Sequence, residues 1–230
     1  MIKENLLEVR EKIKAAANEA GRKPEDITLI AVTKTHPPKL INEALTLGVT
    51  DIGENKVQEV LEKYEAVNSA SWHLIGHLQT NKVKYIVDKV SLIHSVDSIK
   101  LLDEIEKQSA KINKISDVLI QINISGEQSK FGIAPEETDR VLEYAETLKN
   151  VKIKGLMTIA PKIYGEVTNR QHFENIRRIF VDNQTKNYHN SSMKYLSMGM
   201  SGDFEEAIRS GSNMVRVGSA IFGKRDYDIK

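Results

Sequence analysis

The chain opens on an amphipathic period. Leu6, Val9, Ile13, Ala16, Ala17 and Ala20 recur at spacings of three and four, which predicts a helix with one apolar face. Gly21 and Pro24 stop it. Beyond that point short β-branched runs alternate with longer helical patterns. The runs predict strands over residues 27–34, 49–55, 72–78, 91–96, 117–124, 151–159, 195–201 and 214–222. Between them lie helical stripes: Ile99, Leu102 and Ile105; Val141, Leu142, Ala145 and Leu148; Phe173, Ile176, Ile179 and Phe180. The segments 125–130 and 162–170 are polar and read as loops.

Strict strand–helix alternation implies parallel strands joined by helical crossovers. Eight such units close a barrel, so the expected fold is a single (β/α)8 TIM-barrel domain spanning residues 1–230. The competing architecture, an open doubly wound sheet, usually carries a glycine-rich turn after its first strand. Here the first strand runs out into Thr33-Lys34-Thr35-His36-Pro37-Pro38, with no glycine.

Composition narrows the function classes. The 33 basic and 32 acidic side chains nearly cancel, so no global field draws the chain to nucleic acid or an anionic membrane. The absence of cysteine removes disulfides, thiolate metal sites and thiol catalysis together. The first residues mix charges with apolar positions and do not read as a signal peptide, and no apolar run is long enough to cross a bilayer. A cytoplasmic location is expected.

In such a barrel chemistry sits at the C-terminal ends of the strands. Lys34 ends the first predicted strand on the face of Ile30 and Val32, which would aim it into the barrel mouth. Burial lowers an ammonium pKa, and a neutral amine attacks carbonyls. Taken alone, the plainer reading is a lysine snorkelling at a strand end. The seventh strand runs into Met198-Gly199-Met200-Ser201-Gly202-Asp203, followed at once by a helical pattern with Asp203 as N-cap and Gly211 at its end. The eighth carries Val217-Gly218-Ser219-Ala220. Small residues in both loops let backbone N–H groups reach a phosphate, a common use of the last two loops of a barrel, though two ordinary turns would look the same.

Arg216 lies among apolar neighbours and needs a partner: a cofactor ring nitrogen, or a barrel carboxylate such as Asp51, Glu54 or Asp117. His73 and His77 share a face of the third strand but stand about 13 Å apart, too far for one metal ion. No metal site is therefore expected. His77 would line the mouth, and His73 would be a satisfied core or rim residue. Asn55 and Met157, near the ends of the second and sixth strands, could contact a ligand without being diagnostic. No Gly-x-Ser-x-Gly, Walker-type or dinucleotide fingerprint is present.

Together these segments resemble the pyridoxal phosphate homeostasis protein family, whose barrel is alanine racemase-like. The matching stretches include Ala31-Val32-Thr33-Lys34, Gly53-Glu54-Asn55-Lys56-Val57-Gln58-Glu59, and 72–82 with its Trp-His-Leu-Ile-Gly-His core. Further matches are Lys130-Phe131-Gly132, Gly155-Leu156-Met157-Thr158, 196–203, and 215–223. The resemblance implies that Lys34 holds pyridoxal 5′-phosphate (PLP) as a Schiff base. It implies that Ser201, Gly202, Gly218 and Ser219 bind the phosphate and that Arg216 faces the pyridine nitrogen. Asn55, His77 and Met157 match positions around the cofactor.

It also implies a carrier that buffers PLP, with effects on vitamin B6 supply and amino-acid balance and with PLP-dependent apo-enzymes as recipients. A monomer or weak dimer is expected. Two-base racemases of this type draw their second base from a further β-domain, and the chain ends at Lys230, eight residues after the last predicted strand. No catalytic residue is therefore assigned. A low-activity amino-acid racemase is the second hypothesis. A Schiff-base aldolase acting on a phosphosugar is the third, and it would leave Arg216 with no ring nitrogen to meet.

Overall fold

The computed structural model describes residues 1–127, 129–161 and 169–223. The first helix, α1 (Ile2–Glu19), buries Ile2, Leu6, Val9, Ile13, Ala16 and Ala17, the stripe its spacing predicts. Gly21 follows with φ +65°, a left-handed turn. Arg22 then donates to the Ser212 carbonyl at 2.6 Å, tying the end of this turn to the opposite end of the chain.

Eight strands follow: β1 (Thr28–Val32), β2 (Asp51–Glu54), β3 (Ser71–Leu74), β4 (Leu92–Val96), β5 (Ser116–Gln121), β6 (Val151–Met157), β7 (Ser191–Met200) and β8 (Met214–Val217). Each pairs in parallel with the next, and β8 pairs with β1, so the sheet closes into a barrel in sequence order. The crossovers carry α2 (Pro38–Thr46), α3 (Val57–Lys63), α4 (Ile99–Lys111), α5 (Thr138–Ala145), α6 (Arg170–Gln184) and α7 (Phe204–Arg209). Between β3 and β4 a 3-10 segment, Thr80–Tyr85, takes the place of a helix. The expected loop at 162–170 lies outside the described residues as far as 168, and Arg170 begins α6.

Two corrections concern strand ends. β1, β2 and β3 stop earlier than the sequence pattern predicts, so Lys34, Asn55 and His77 lie past their ends. Residues 219–222, predicted as strand, form the short helix α8 (Ser219–Phe222). Its first bonds run from Ile221 and Phe222 N–H to the Gly218 carbonyl at 2.8 and 3.0 Å. A short apolar run fits helix and strand alike, and here the backbone turns as soon as Gly218 is passed.

The main core lies between barrel and helices, where outward residues such as Ala31, Ile52, Leu74 and Val118 meet Ile41, Leu102, Leu142 and Phe173. Inside the barrel a smaller apolar cluster is built from Ile30, Leu92, Leu119, Met157 and Met214. The remaining interior is polar, with His73, His94, Ser197 and Arg216 all buried. Irregular register between β4 and β8 bends the sheet around this content. At one of these bulges Gly155 has φ +144°, and a Cβ there would stand 1.9 Å from the Tyr195 carbonyl oxygen. No helix of the described residues is long and apolar enough to cross a membrane.

Candidate cofactor site

At the C-terminal mouth lies a cavity of about 470 Å³. Lys34, Asn55, His77, Ser201, Gly202, Arg216, Gly218 and Ser219 line it, so eight of the residues singled out in the sequence converge on one space. Met157 does not reach it. Its side chain is fully buried in the barrel interior with Ile30 and Met214, in the layer below.

The loop that carries Lys34 is held from beneath. Lys63, at the end of α3, donates to the Thr33 carbonyl at 3.0 Å and to Glu54 and Glu59 at 2.8 Å each. The Thr33 hydroxyl donates to the same Glu54 oxygen at 2.7 Å, and the Thr35 N–H donates to Glu59 at 2.6 Å. Thr35 itself has φ +68°, a left-handed conformation that costs a β-branched residue about 1–2 kcal/mol. The network over-determines that turn and fixes where Lys34 leaves the barrel rim. Burial pushes the Glu54 carboxyl up, against the opposing hydrogen bonds and charge of Lys63 and the Thr33 hydroxyl. Burial would also raise Glu59, but hydrogen bonds from Lys63 and the Thr35 N–H, with the Lys63 charge, hold it below the ordinary carboxylate value. Among the described residues, no hydrogen-bond partner meets the other, buried oxygen of Glu54.

Across the mouth the last two loops meet. The Ser201 hydroxyl oxygen accepts from the Gly218 N–H at 3.1 Å and the Ala220 N–H at 3.4 Å. Two backbone donors thus converge on an oxygen beside the cavity. At Gly202 a Cβ would meet no protein atom within 4 Å. Asp203 stands at the N-cap position of α7, but its side chain makes no capping bond there. One oxygen instead accepts from the Met200 N–H at 2.7 Å and the other from Asn169 at 2.9 Å, closing the turn that presents Ser201.

Arg216 forms the floor. It is 3% exposed and donates to the Ser197 hydroxyl at 2.6 Å and the Thr158 carbonyl at 2.8 Å. Its expected carboxylate partners are engaged elsewhere: Asp51 with His73 and Thr50, Glu54 with Lys63 and Thr33, and Asp117 near Lys154. Desolvation pushes the guanidinium down to about 10, which leaves it a cation at neutral pH. Two of its five N–H donors are used in these bonds.

His77 stacks on Phe131, with ring centroids 3.8 Å apart, and its Nδ1 donates to Asp97 at 3.1 Å. Phe131, Ile159 and Met200 line the cavity and are partly exposed, forming an apolar rim. The sequence pattern assigns them no role. Phe131 lies in a loop after β5, where no periodicity points to it.

The alanine racemase N-terminal domain family matches residues 5–226. A protein of Aquifex aeolicus named pyridoxal phosphate homeostasis protein is 45% identical over 226 residues, covering 97% of this chain and 98% of the relative. The Escherichia coli protein of the same name is 40% identical over 237 residues, covering 100% and 99%. The chain belongs to the pyridoxal phosphate homeostasis protein family. Among solved structures it is similar to PipY of Synechococcus elongatus with PLP bound, at a TM-score of 0.83 and 30% identity, over 97% of this chain and 100% of PipY.

Proposed function

We propose that this member of the family binds pyridoxal 5′-phosphate in the cavity at the barrel mouth and acts by holding and releasing it. The observation that carries this reading is the meeting of three unlike groups around one space: the Lys34 amine, the buried Arg216 cation, and the amides of Gly218 and Ala220 facing Ser201. That set fits the ligand's three functions. Lys34 would bind the aldehyde covalently, Arg216 would meet the ring nitrogen, and the amides with Ser201, Gly202 and Ser219 would hold the phosphate. Asn55 and His77 would flank the ring. Met157 would act only through the layer it supports.

When bound, PLP supplies an electron sink for carbanion chemistry. The residues here do less than that chemistry needs. Among the described residues lining the cavity, the titratable side chains are Lys34, His77 and Arg216. Inverting a stereocentre needs a proton acceptor on one face and a donor on the other. His77 would have to be the second base, with its ring stacked on Phe131 and one nitrogen committed to Asp97. This supports a carrier that limits the reactive aldehyde rather than a racemase.

Borohydride reduction followed by peptide mass spectrometry tests the reading. The expected result is a pyridoxyl mass on the peptide containing Lys34 and none after Lys34→Ala. Its absence from the native protein would overturn the assignment. Incubation with L-alanine in deuterated buffer then separates carrier from enzyme, and turnover to the D-enantiomer at ordinary enzymatic rates would retire the carrier reading.

A further inference from the structure

Five side chains cross the barrel interior in one hydrogen-bonded line. Arg216 Nη1 donates to Ser197 Oγ at 2.6 Å, and His94 Nδ1 lies 3.0 Å from the same oxygen. His94 Nε2 is 3.0 Å from His73 Nδ1, and His73 Nε2 is 2.9 Å from Asp51 Oδ1. Arg216, Ser197, His94 and His73 are buried. Asp51, the first residue of β2, reaches a separate cavity at the N-terminal rim beside Lys14 and Thr28. The line therefore joins the two ends of the barrel.

Its direction is set by its ends. A guanidinium has only N–H groups and must donate, and a carboxylate must accept. Asp51 thus takes the proton of His73 Nε2, which leaves Nδ1 of a neutral His73 as an acceptor. His94 fills it with its own Nε2–H and turns a bare Nδ1 toward Ser197. The Ser197 hydroxyl gives its hydrogen to that nitrogen and offers its lone pairs to Arg216. Every bond then holds one proton, and every dipole points the same way. A cationic His73 would reverse His94, give Ser197 two donors and leave its hydrogen without an acceptor.

We infer that Asp51, His73 and His94 are positioning residues for the cofactor site. Through Ser197 they lock the Arg216 guanidinium against the barrel wall, with its remaining N–H groups left for the cavity. As the terminal acceptor of the line, Asp51 fixes the direction in which its bonds run. Hydrogen bonds in such a chain polarise and strengthen one another. The functional consequence rests on the reading that Arg216 meets the cofactor ring.

Two measurements test this, the first without cofactor. Long-range 1H–15N NMR of the histidine rings in the unliganded protein at pH 7 should show His73 and His94 both neutral and both protonated on Nε2. A His94 proton on Nδ1, or a cationic His73, would overturn the relay. The second measurement follows the absorbance maximum and affinity of bound PLP. Asp51→Ala and His94→Phe should shift the maximum and weaken binding on the order of threefold to tenfold. Asp51→Asn, whose amide oxygen still accepts from His73, should keep the wild-type tautomers and recover most of the affinity. If Arg216→Met alters the spectrum while Asp51→Ala and His94→Phe do not, the relay does not position Arg216. If Arg216→Met also changes nothing, the assignment of Arg216 to the ring fails instead, and the NMR result still judges the relay alone.

Discussion

Lys63 Nζ donates to the Thr33 carbonyl oxygen at 3.0 Å, so a buried ammonium grips the residue just before the candidate cofactor lysine. The same ammonium compensates Glu54, whose side chain is 0% exposed. Lys63→Met would leave that carboxylate buried and unpaired, a change that costs on the order of 3–5 kcal/mol.

The sign of its pH dependence follows from Glu54. Its folded pKa lies above the ordinary 4.5, so its stabilising contribution is complete below that value and is lost as pH rises through the folded pKa. Lys63 opposes this shift and also depresses Glu59, which adds stability above the ordinary carboxylate range. The deficit of Lys63→Met should therefore be small near pH 4.5 and grow toward neutrality. Urea unfolding across that range checks it, and a deficit independent of pH would show that Lys63 acts by packing alone.

Arg216→Met separates cofactor binding from folding. Among the described residues no carboxylate pairs with this desolvated cation, Asp203 acting on it only through its charge, and replacing a buried charge by an apolar side chain of similar length is often tolerated. Against this stand the two hydrogen bonds lost at Ser197 and Thr158, worth roughly 1 kcal/mol each. The unliganded variant should fold with stability within about 2 kcal/mol of wild type. Its PLP spectrum or affinity should change clearly. A variant that binds PLP with an unaltered spectrum and affinity would remove Arg216 from the ring.

Much of this was legible in the chain because a barrel repeats one signal eight times. A single misjudged strand end does not disturb the count. The sequence pattern puts Lys34, Asn55 and His77 at strand ends; they lie just past them, yet still reach the mouth, because every loop after a strand opens on that face. Met157 was harder to place. Strand alternation assigns its face only if the register is regular, and β6 bulges between Ile153 and Gly155. Lys63 looks like any lysine of an amphipathic helix. Only the fold shows that its end is tucked beneath a neighbouring loop. His94 sits in the apolar run Leu92-Ile93-His94-Ser95-Val96, where nothing distinguishes a core histidine from a link in a chain of four hydrogen bonds.

Ser201→Asp tests the phosphate cradle. The Ser201 oxygen already accepts from the Gly218 and Ala220 N–H groups. A carboxylate introduced there would take those donors for itself and repel the ligand's phosphate. PLP affinity should fall at least tenfold, about 1.4 kcal/mol, while the unliganded protein keeps or slightly gains stability. Fluorescence titration with PLP and thermal unfolding without it would show both. Undiminished affinity would place the phosphate elsewhere.

Two glycines in the site should respond differently to a methyl group. At Gly76 a Cβ would stand 2.3 Å from the Asn55 carbonyl oxygen and 2.8 Å from its Cα, both backbone atoms that cannot swing aside. The Gly76 carbonyl is also held by the Ser95 hydroxyl at 2.6 Å, so neither side of the contact yields cheaply. Gly76→Ala should cost roughly 2–3 kcal/mol of folding stability and displace Asn55, weakening PLP binding as well. At Gly202 a Cβ meets no protein atom within 4 Å, so Gly202→Ala should leave unliganded stability within about 0.5 kcal/mol of wild type. If the phosphate lies against this loop, that methyl group would still crowd it and lower affinity. Chemical unfolding of both variants, with and without PLP, reads the contrast directly. Equal losses of stability would mean that the loop at Gly202 is packed more tightly than its surroundings indicate, and unchanged PLP binding in Gly202→Ala would place the phosphate away from this turn.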